Sequence, residues 1–445
     1  MGLIIIYEES FMKIFYQSFG CKVSQYETEN IEAQMKARGF ETVSRPESAD
    51  IAVINTCTVT SGADSKCRQA MHRVKKQNPR CILCAMGCMT QVAGGEAAPQ
   101  ECDIVIGSRN KTLLPELIGQ YLATGQRIIA VTPITDEHGF EAMQNTSVES
   151  RTRAYIKIQD GCDMYCTYCI IPYARGHICS KPLNEIKEEA AALVLSGHKE
   201  LILTGINLCC YGRDFKNGTR LIDAIEAVCA VSGDFRVRLS SVEPEMISDG
   251  DIQRMARLEK LCPHFHLSLQ SGCDKTLKAM KRHYTAAEYL ELCQRLRESF
   301  PDCAVTTDIM VGFPGESEQD HKQSLEFAAL AGFADAHIFP YSRRKGTVAD
   351  TMPCQVEGSI KHRRAREMAQ TTAKTREEYM KRMQGRTLKV LFEKETDPRF
   401  HQGHSGNYLL VRTPRVDESV SLRREFKNVR ITGYDAHGLT GDIEE

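Results

Sequence analysis

Between residues 161 and 169 the chain reads Gly161-Cys162-Asp163-Met164-Tyr165-Cys166-Thr167-Tyr168-Cys169. Thiolates at i, i+4 and i+7 on a loop can hold three irons of a cubane 4Fe–4S cluster, which leaves the fourth iron open to another ligand. Two other readings of these residues stand beside it. A 4+3 spacing is also a heptad stripe of core cysteines on a helix, and zinc would take three thiols given a fourth ligand nearby. Gly161 before the set and Pro172 after it oppose a helix. Three further cysteines are marked by position, since Cys21, Cys57 and Cys88 each lie just past an apolar, strand-like run. Cys81 and Cys84 form a CxxC, but both fall inside the apolar run ahead of Cys88 and read as core. Cys67 and the other cysteines show no ligand spacing and read as packing.

These cysteines need elements to hold them, and the patterning predicts an α/β chain in three parts. Residues 12–131 alternate β-rich runs (13–19, 51–55, 81–85, 104–106, 128–131) with helical patterns (27–39, 61–77), which predicts a small parallel α/β sheet. Ligands of such sheets sit beyond the carboxyl ends of the strands, so Cys21, Cys57 and Cys88 come to one edge. Residues 132–150 are polar and aperiodic and read as a linker. Residues 151–383 hold six β-rich runs (155–159, 201–204, 235–239, 264–269, 305–311, 336–339) separated by helical stretches such as 184–195, 221–230, 286–299 and 318–331. That alternation predicts a partial (β/α)6 barrel of TIM type, with its site at the strand C-termini. Residues 384–445 turn β-rich (387–392, 408–412, 419–422, 429–433) and contain no cysteine, which predicts a small five-stranded barrel of OB type.

Composition narrows the class. Lys+Arg 57 against Asp+Glu 58 excludes a nucleic-acid binder that works by bulk charge, though not a local basic patch. Residues 361–386 supply one, with nine Lys/Arg against three Glu; it reads as a solvated helix face or as phosphate contact through Lys361, Arg363, Arg364 and Arg366. The 19 cysteines in 445 residues are too few for a disulfide scaffold and odd in number. The apolar run at residues 3–7 is too short to span a bilayer and has no basic flank, and Met12 opens the first strand-like run, so residues 1–11 read as an extension outside the fold. The expectation is a cytoplasmic protein with no membrane segment, whose cysteines serve metal or redox chemistry.

The cysteine loop resembles that of the radical S-adenosylmethionine (SAM) enzymes, and the wider match is closer. Gly20-Cys21-Lys22-Val23, Asn55-Thr56-Cys57-Thr58-Val59-Thr60 and Gly87-Cys88-Met89-Thr90-Gln91 look like the three cysteine motifs of the methylthiotransferase amino-terminal domain. Cys162–Cys169 with Ile170-Ile171-Pro172-Tyr173-Ala174-Arg175-Gly176 looks like that family's radical core, and Ser268-Leu269-Gln270-Ser271-Gly272 and 308–316 also match. The carboxyl-terminal segment is similar to the family's RNA-binding TRAM barrel. The resemblance covers nearly the whole chain from Met12.

It implies two 4Fe–4S clusters and two uses of SAM. The Cys162/Cys166/Cys169 cluster would reduce SAM to a 5′-deoxyadenosyl radical that removes a hydrogen from an unreactive C–H. The Cys21/Cys57/Cys88 cluster would supply the sulfur, methylated by a second SAM. SAM contacts would come from Tyr168, which could stack on adenine or simply pack, and from Gly205 and Asn207 near the methionine end, where a plain turn is the alternative. Gln270 would join them, and Gly312, Pro314 and Gly315 would pass the adenine or form a tight turn. Arg175 or Lys181 would pair with the SAM carboxylate, with surface solvation as the alternative. Two positions depart from the family pattern. Ser24 stands where Asn is usual, and Ser180-Lys181 stands for Ser-Arg, keeping the charge but losing the bidentate fork.

The family's substrates are adenosines beside the anticodon of tRNA, carrying an isopentenyl or a threonylcarbamoyl group, and an aspartate of a ribosomal protein. Phe19–Val23, Arg238-Leu239-Ser240-Ser241-Val242-Glu243 and 339–347 look most like the bacterial threonylcarbamoyladenosine branch. The implied partner is the tRNA anticodon stem-loop, met by a monomer that also requires an electron donor and a sulfur source. A reading from another class, a non-catalytic iron–sulfur protein that binds RNA or senses redox state, predicts clusters without SAM cleavage.

Overall fold

A computed structural model describes residues 12–94, 98–134, 139–143, 152–415, 417 and 419–444. Residues 1–11, read above as an extension, and part of the 132–150 linker lie outside these. The chain divides into two compact units: Met1–Val148 with Gly161–Asp163 and Cys169–His177, and Glu149–Asp160 with Met164–Tyr168 and Ile178–Glu445.

The first unit is built on six parallel strands, β1 (Lys13–Ser18), β2 (Glu41–Val43), β3 (Ile51–Thr56), β4 (Ile82–Gly87), β5 (Ile104–Ile106) and β6 (Ile128–Ala130), in the order β2-β1-β3-β4-β5-β6. Every residue of β3 and β4 is buried, and their apolar runs suit strands covered on both faces. Ile51, Val53, Ile82 and Cys84 pack with Ile31 and Met35 of helix α1 (Lys22–Ala37). Ala52, Ile54, Leu83 and Ala85 pack with Cys67 and Met71 of helix α2 (Ser61–Gln77). The same alternation sends Cys81 and Cys84 into opposite layers, so this CxxC is core. The edge strand β2, three residues long, is too short to announce itself in the pattern. It matters because the strand order reverses at β1/β3, and that reversal opens a crevice beyond their carboxyl ends.

The second unit begins with β7 (Arg153–Lys157), continues through the short antiparallel pair β8 (Gln159–Asp160) and β9 (Cys179–Ser180), and then forms β10 (Glu200–Thr204), β11 (Arg236–Leu239), β12 (His264–Gln270), β13 (Ala304–Val311) and β14 (Asp335–Pro340). Sheets β11-β10-β7 and β12-β13-β14 are parallel, and isolated bridges at Val237–Leu261 and Val242–Leu267 join them. Six strands thus follow one another around a partial barrel, and Ile156, Leu203, Val237, Leu267 and Val311 share its apolar core with the surrounding helices.

The helix Gly358–Met383 leads into a closed barrel of β15 (Thr387–Phe392), β16 (Phe400–Ser405), β17 (Leu410–Pro414), β18 (Phe426–Asp435) and β19 (Gly438–Ile443). Val390, Val411, Val429 and Leu439 fill it against Tyr379 and Met383 of that helix. The strand expected at 419–422 is absent, because the Ser419 N–H and hydroxyl are drawn to the Asp417 carboxylate at 2.8 and 2.7 Å. The strands β16 and β19 stand in for it; the polar and glycine-rich makeup of HQGHS and GLTGDI hid them. Glu200, at the start of β10, anchors this barrel. It accepts from Arg236 and Arg238, which donate onward to the carbonyls of His404 and Gly406 at 3.0 and 3.1 Å. Among the described residues no helix is long and apolar enough to cross a membrane.

Candidate active site

Cys21, Cys57 and Cys88 follow β1, β3 and β4, three adjacent strands, at their carboxyl ends. Cys21 caps α1 with an extended backbone, at φ −99° and ψ 177°, so that helix starts at Lys22 rather than near Glu27. Cys88 opens the short helix α3 (Cys88–Ala93). The three thiols converge. A Cβ on Gly20 would stand 3.0 Å from the Cys57 sulfur. Burial pushes the Cys57 thiol up to about 12; the Val59 N–H opposes this, and Cys88 and Cys21 add to it. Gly87, at φ +114°, lets the chain turn where any Cβ would strike Asn55 Oδ1 and the Thr56 carbonyl at 2.6 Å. Asn55 in turn pins α1, donating to the Ser24 carbonyl and Thr28 Oγ1 at 2.9 and 3.0 Å. Ser24 Oγ lies 3.7 Å from the Cys21 sulfur, so the departure from Asn keeps a polar neighbour there. Cys67, read as packing, lies beside Cys57, whose N–H donates to its sulfur at 3.4 Å.

No group of three ligating side chains among the described residues has the closeness that a single metal ion needs. A cubane asks for a wider set, because each thiolate binds a different iron. Three free thiols at a strand-end crevice, with glycine where a Cβ would crowd the sulfur, fit such a group.

Arg175 enters this pocket. Its Nε donates to the Cys88 sulfur at 3.2 Å, and Nη1 and Nη2 fork onto Glu27 of α1 at 2.5 and 3.2 Å. Lys111 meets the same carboxylate at 2.8 Å. Glu27, Lys111 and Arg175 are 0%, 0% and 2% exposed, so neither of the roles considered for Arg175, the SAM carboxylate or surface solvation, describes where its guanidinium goes. A buried carboxylate needs its partners, and losing one costs about 3–5 kcal/mol. Burial pushes the Cys88 thiol up while Arg175, and less strongly Lys111, pull it back. Lys181 is likewise no surface residue: it is buried and paired with Glu189.

The loop from Gly161 to Ile170 is not helical, which removes the heptad reading. Gly161 sits at φ +71°, where a Cβ would fall 1.9 Å from the His177 carbonyl. Cys162 and Cys169 belong to the first unit and Cys166 to the second; their closeness follows from the spacing along one loop. The Cys162 N–H donates to the Gly176 carbonyl at 3.0 Å. Cys166 has its own arginine, since Arg282 Nη1 lies 3.5 Å from its sulfur while Nη2 pairs with Glu243 and reaches the Ser268 carbonyl at 3.1 Å.

The strand-end residues of the barrel divide. Gln159 Oε1 accepts from the Asn207 N–H at 2.8 Å, and a Cβ on Gly205 would stand 2.9 Å from that oxygen. Gln270 ends β12 at φ +65°, and its buried Oε1 has no hydrogen-bond partner among the described residues. Tyr168 packs against Met280, Met310, Phe313 and Tyr341. After β13, the Gly312 N–H donates to both oxygens of Glu316 at 3.1 Å, the Glu316 N–H closes the turn around Pro314 by donating to the Phe313 carbonyl at 3.0 Å, and the Gly315 N–H ties it to the Cys354 carbonyl at 2.9 Å. The basic stretch buttresses that turn. Arg364 is buried and donates to Glu316 at 2.8 Å, and Lys361 packs on Gly312 and donates to the Tyr341 carbonyl at 3.0 Å. Arg363 pairs with Glu318 and Glu367, and Arg366 is exposed. Glu27, Lys111 and Arg282 had no local signal in the sequence; only the packing brings them to the cysteines.

Comparisons with known proteins agree with this arrangement. Residues 156–328 match the Radical SAM superfamily and residues 13–107 match the uncharacterized protein family UPF0004. A protein of Bacillus subtilis named threonylcarbamoyladenosine tRNA methylthiotransferase MtaB is 36% identical over 405 residues, covering 89% of each chain. Its namesake in Thermotoga maritima is 36% identical over 425 residues and 95% of each chain. A tRNA-2-methylthio-N(6)-dimethylallyladenosine synthase of Clostridium tetani is 34% identical over 391 residues, 86% of this chain and 85% of its own. Among solved structures, the radical SAM methyltransferase TsrM of Kitasatospora setae aligns with a TM-score of 0.55 at 11% identity, over 77% of each chain, a likeness of fold alone. With a strand-end cysteine triad in one unit, a cysteine loop ahead of a partial barrel, and relatives this similar along nearly their whole length, the chain belongs to the radical SAM methylthiotransferases, enzymes whose family implies SAM and a 4Fe–4S cluster.

Proposed function

We propose that this enzyme transfers a methylthio group to C2 of N6-threonylcarbamoyladenosine at position 37 of tRNA, working in the cytoplasm as a monomer on the anticodon stem-loop. The observation that carries the reading is the full-length similarity to relatives named for that modification, at 36% identity and up to 95% coverage. When bound, a cluster on Cys162, Cys166 and Cys169 supplies the electron that cleaves SAM for C–H activation, and a second on Cys21, Cys57 and Cys88 supplies the sulfur. The chain's own residues hold and orient. Gly161 and Gly87 shape the turns that present the cysteines, while Gly205, Asn207, Gln270 and the Gly312–Gly315 turn line the strand ends where SAM would lie. The terminal barrel and the outward-facing Arg366 would meet the RNA.

Mass spectrometry of tRNA from cells lacking the gene tests the substrate. Loss of 2-methylthio-threonylcarbamoyladenosine is expected; loss of the dimethylallyl form instead would overturn the assignment and favour the second reading, which rests on the 34% identical synthase. Loss of neither, with an unmodified ribosomal aspartate, would point to the protein substrate. An anaerobic assay with SAM and dithionite should release 5′-deoxyadenosine, which a non-catalytic iron–sulfur protein would not do. Reconstituted protein should hold about eight irons, falling to about four in Cys162→Ala and, separately, in Cys57→Ala.

A further inference from the structure

Strands β12, β13 and β14 have two unlike faces. Leu267 and Ile309 point outward into the apolar core that they share with Tyr289 and Phe327 of the covering helices. Residues of the opposite parity face the inside of the partial barrel, and three of them form a polar cluster. Asp308 of β13 stands between two histidines, its Oδ2 3.2 Å from His266 Nε2 and its Oδ1 3.3 Å from His337 Nδ1. Asp308 and His337 are direct partners across the parallel pair. Two residues further along this face, about 7 Å, Met310 and Phe339 join the apolar cluster that packs Tyr168 of the cysteine loop. The cluster is also within electrostatic reach of Cys166: burial raises the Glu243 carboxyl, its partner Arg282 opposes this, and the charge of Asp308 adds to it, while Arg282 itself reaches the Cys166 sulfur.

His337 is the open member of this cluster. Its side chain is 74% exposed against 27% for Asp308, because β14 ends its sheet, and Phe339 stacks on the ring at 5.4 Å. Burial pushes the Asp308 carboxyl up, and the two imidazoles more than offset this, so it stays ionised. A carboxylate can only accept, so His337 Nδ1 carries the proton and donates to it, which leaves Nε2 of the neutral ring as an acceptor. We propose that His337, oriented by Asp308, is a specificity-determining residue whose Nε2 accepts a hydrogen bond from a polar group on N6 of the substrate adenosine. A threonylcarbamoyl group brings such donors in its ureido N–H and its threonine hydroxyl, whereas a dimethylallyl group is a hydrocarbon with none. A site that hydrogen-bonds one substrate disfavours the analogue without the donor, because its own polar atoms are then left unpaired. The inference rests on the reading that the substrate is threonylcarbamoyladenosine.

Reconstituted full-length protein and three anticodon stem-loops, alike except that the adenosine at position 37 is plain, threonylcarbamoylated or dimethylallylated, test both levels. The wild type should bind the threonylcarbamoyl stem-loop most tightly and methylthiolate it with SAM and dithionite. In His337→Phe, affinity for that RNA should fall about tenfold, with a matching rise in KM. Affinity for the plain stem-loop should stay within about twofold, since the lost bond is made only to the added group. His337→Gln, which keeps an acceptor, should recover part of the loss. Asp308→Asn should show the same selective loss to a smaller degree, and the exposed His337 carries the test if that variant does not fold. A wild type that modifies only the dimethylallyl stem-loop would overturn the substrate reading and the inference together. A wild type that prefers the threonylcarbamoyl form, with that preference intact in His337→Phe, would overturn the inference alone. Equal losses on all three RNAs would make His337 a structural residue and overturn it as well.

Discussion

The two cysteine triads reach similar ends by opposite routes. Cys162, Cys166 and Cys169 stand within one non-helical loop, so chain connectivity alone keeps them together. Cys21, Cys57 and Cys88 come from the ends of three strands, and only the parallel sheet gathers them. Each has a carboxylate–arginine pair behind one cysteine, Glu243–Arg282 at Cys166 and Glu27–Arg175 at Cys88, and at the latter Lys111 meets the same carboxylate. Local spacing makes a site robust to changes elsewhere in the fold; a tertiary triad depends on the register of every strand that feeds it.

The sharpest way to break this comparison is to add one methyl group at each triad. Gly161→Ala places a Cβ 1.9 Å from the His177 carbonyl, and Gly87→Ala places one 2.6 Å from the Thr56 carbonyl. Each variant should lose about four of eight irons, and only Gly161→Ala should lose 5′-deoxyadenosine formation. Iron analysis showing both centres lost in both variants would mean that the triads are not independently held.

Next in size is Glu200→Gln, which strands three buried or half-buried arginines and should cost about 3–5 kcal/mol in denaturant unfolding. Iron content of the folded protein should be unchanged, because this network anchors the terminal barrel and touches neither triad.

A smaller effect comes with pH. His404 is held below the ordinary histidine range by burial, and the Glu393 carboxylate beside it only partly offsets this. Its native form binds the proton less readily than the unfolded chain does, so stability is full above the unfolded value near 6.5 and falls as pH drops below it, by at most about 1.4 kcal/mol per pH unit. Urea midpoints at pH 7.5 and 5.5 should show the loss, and His404→Gln should reduce it. The smallest change is expected from Ser24→Ala, about 0.5 kcal/mol with both centres retained, since the hydroxyl's contact with Cys21 is long.

What could be read without coordinates follows from the range over which each signal acts. The helix at residues 61–77 was legible because its buried residues recur at helical spacing, and the strand at 104–106 because it is a short continuous apolar run, buried throughout. The three-residue β2 and the polar strands β16 and β19 were not, since their pairing is decided by neighbours far along the chain. Lys181 and Arg175 carry the same charge as any surface cation; that they lie buried depends on Glu189 and Glu27, which face them only after folding.

The sequence by itself determined the cysteine loop, the order of βα units and the family, because these rest on spacing, periodicity and motif order along one chain. Strand order along the chain already placed Cys21, Cys57 and Cys88 at one sheet edge, whereas only the tertiary structure decided that Arg364 and Lys361 support a strand-end turn. It alone turned Arg175 toward Cys88. A guanidinium's direction is set by the buried carboxylate that must be neutralised, and no local pattern records where that carboxylate will be.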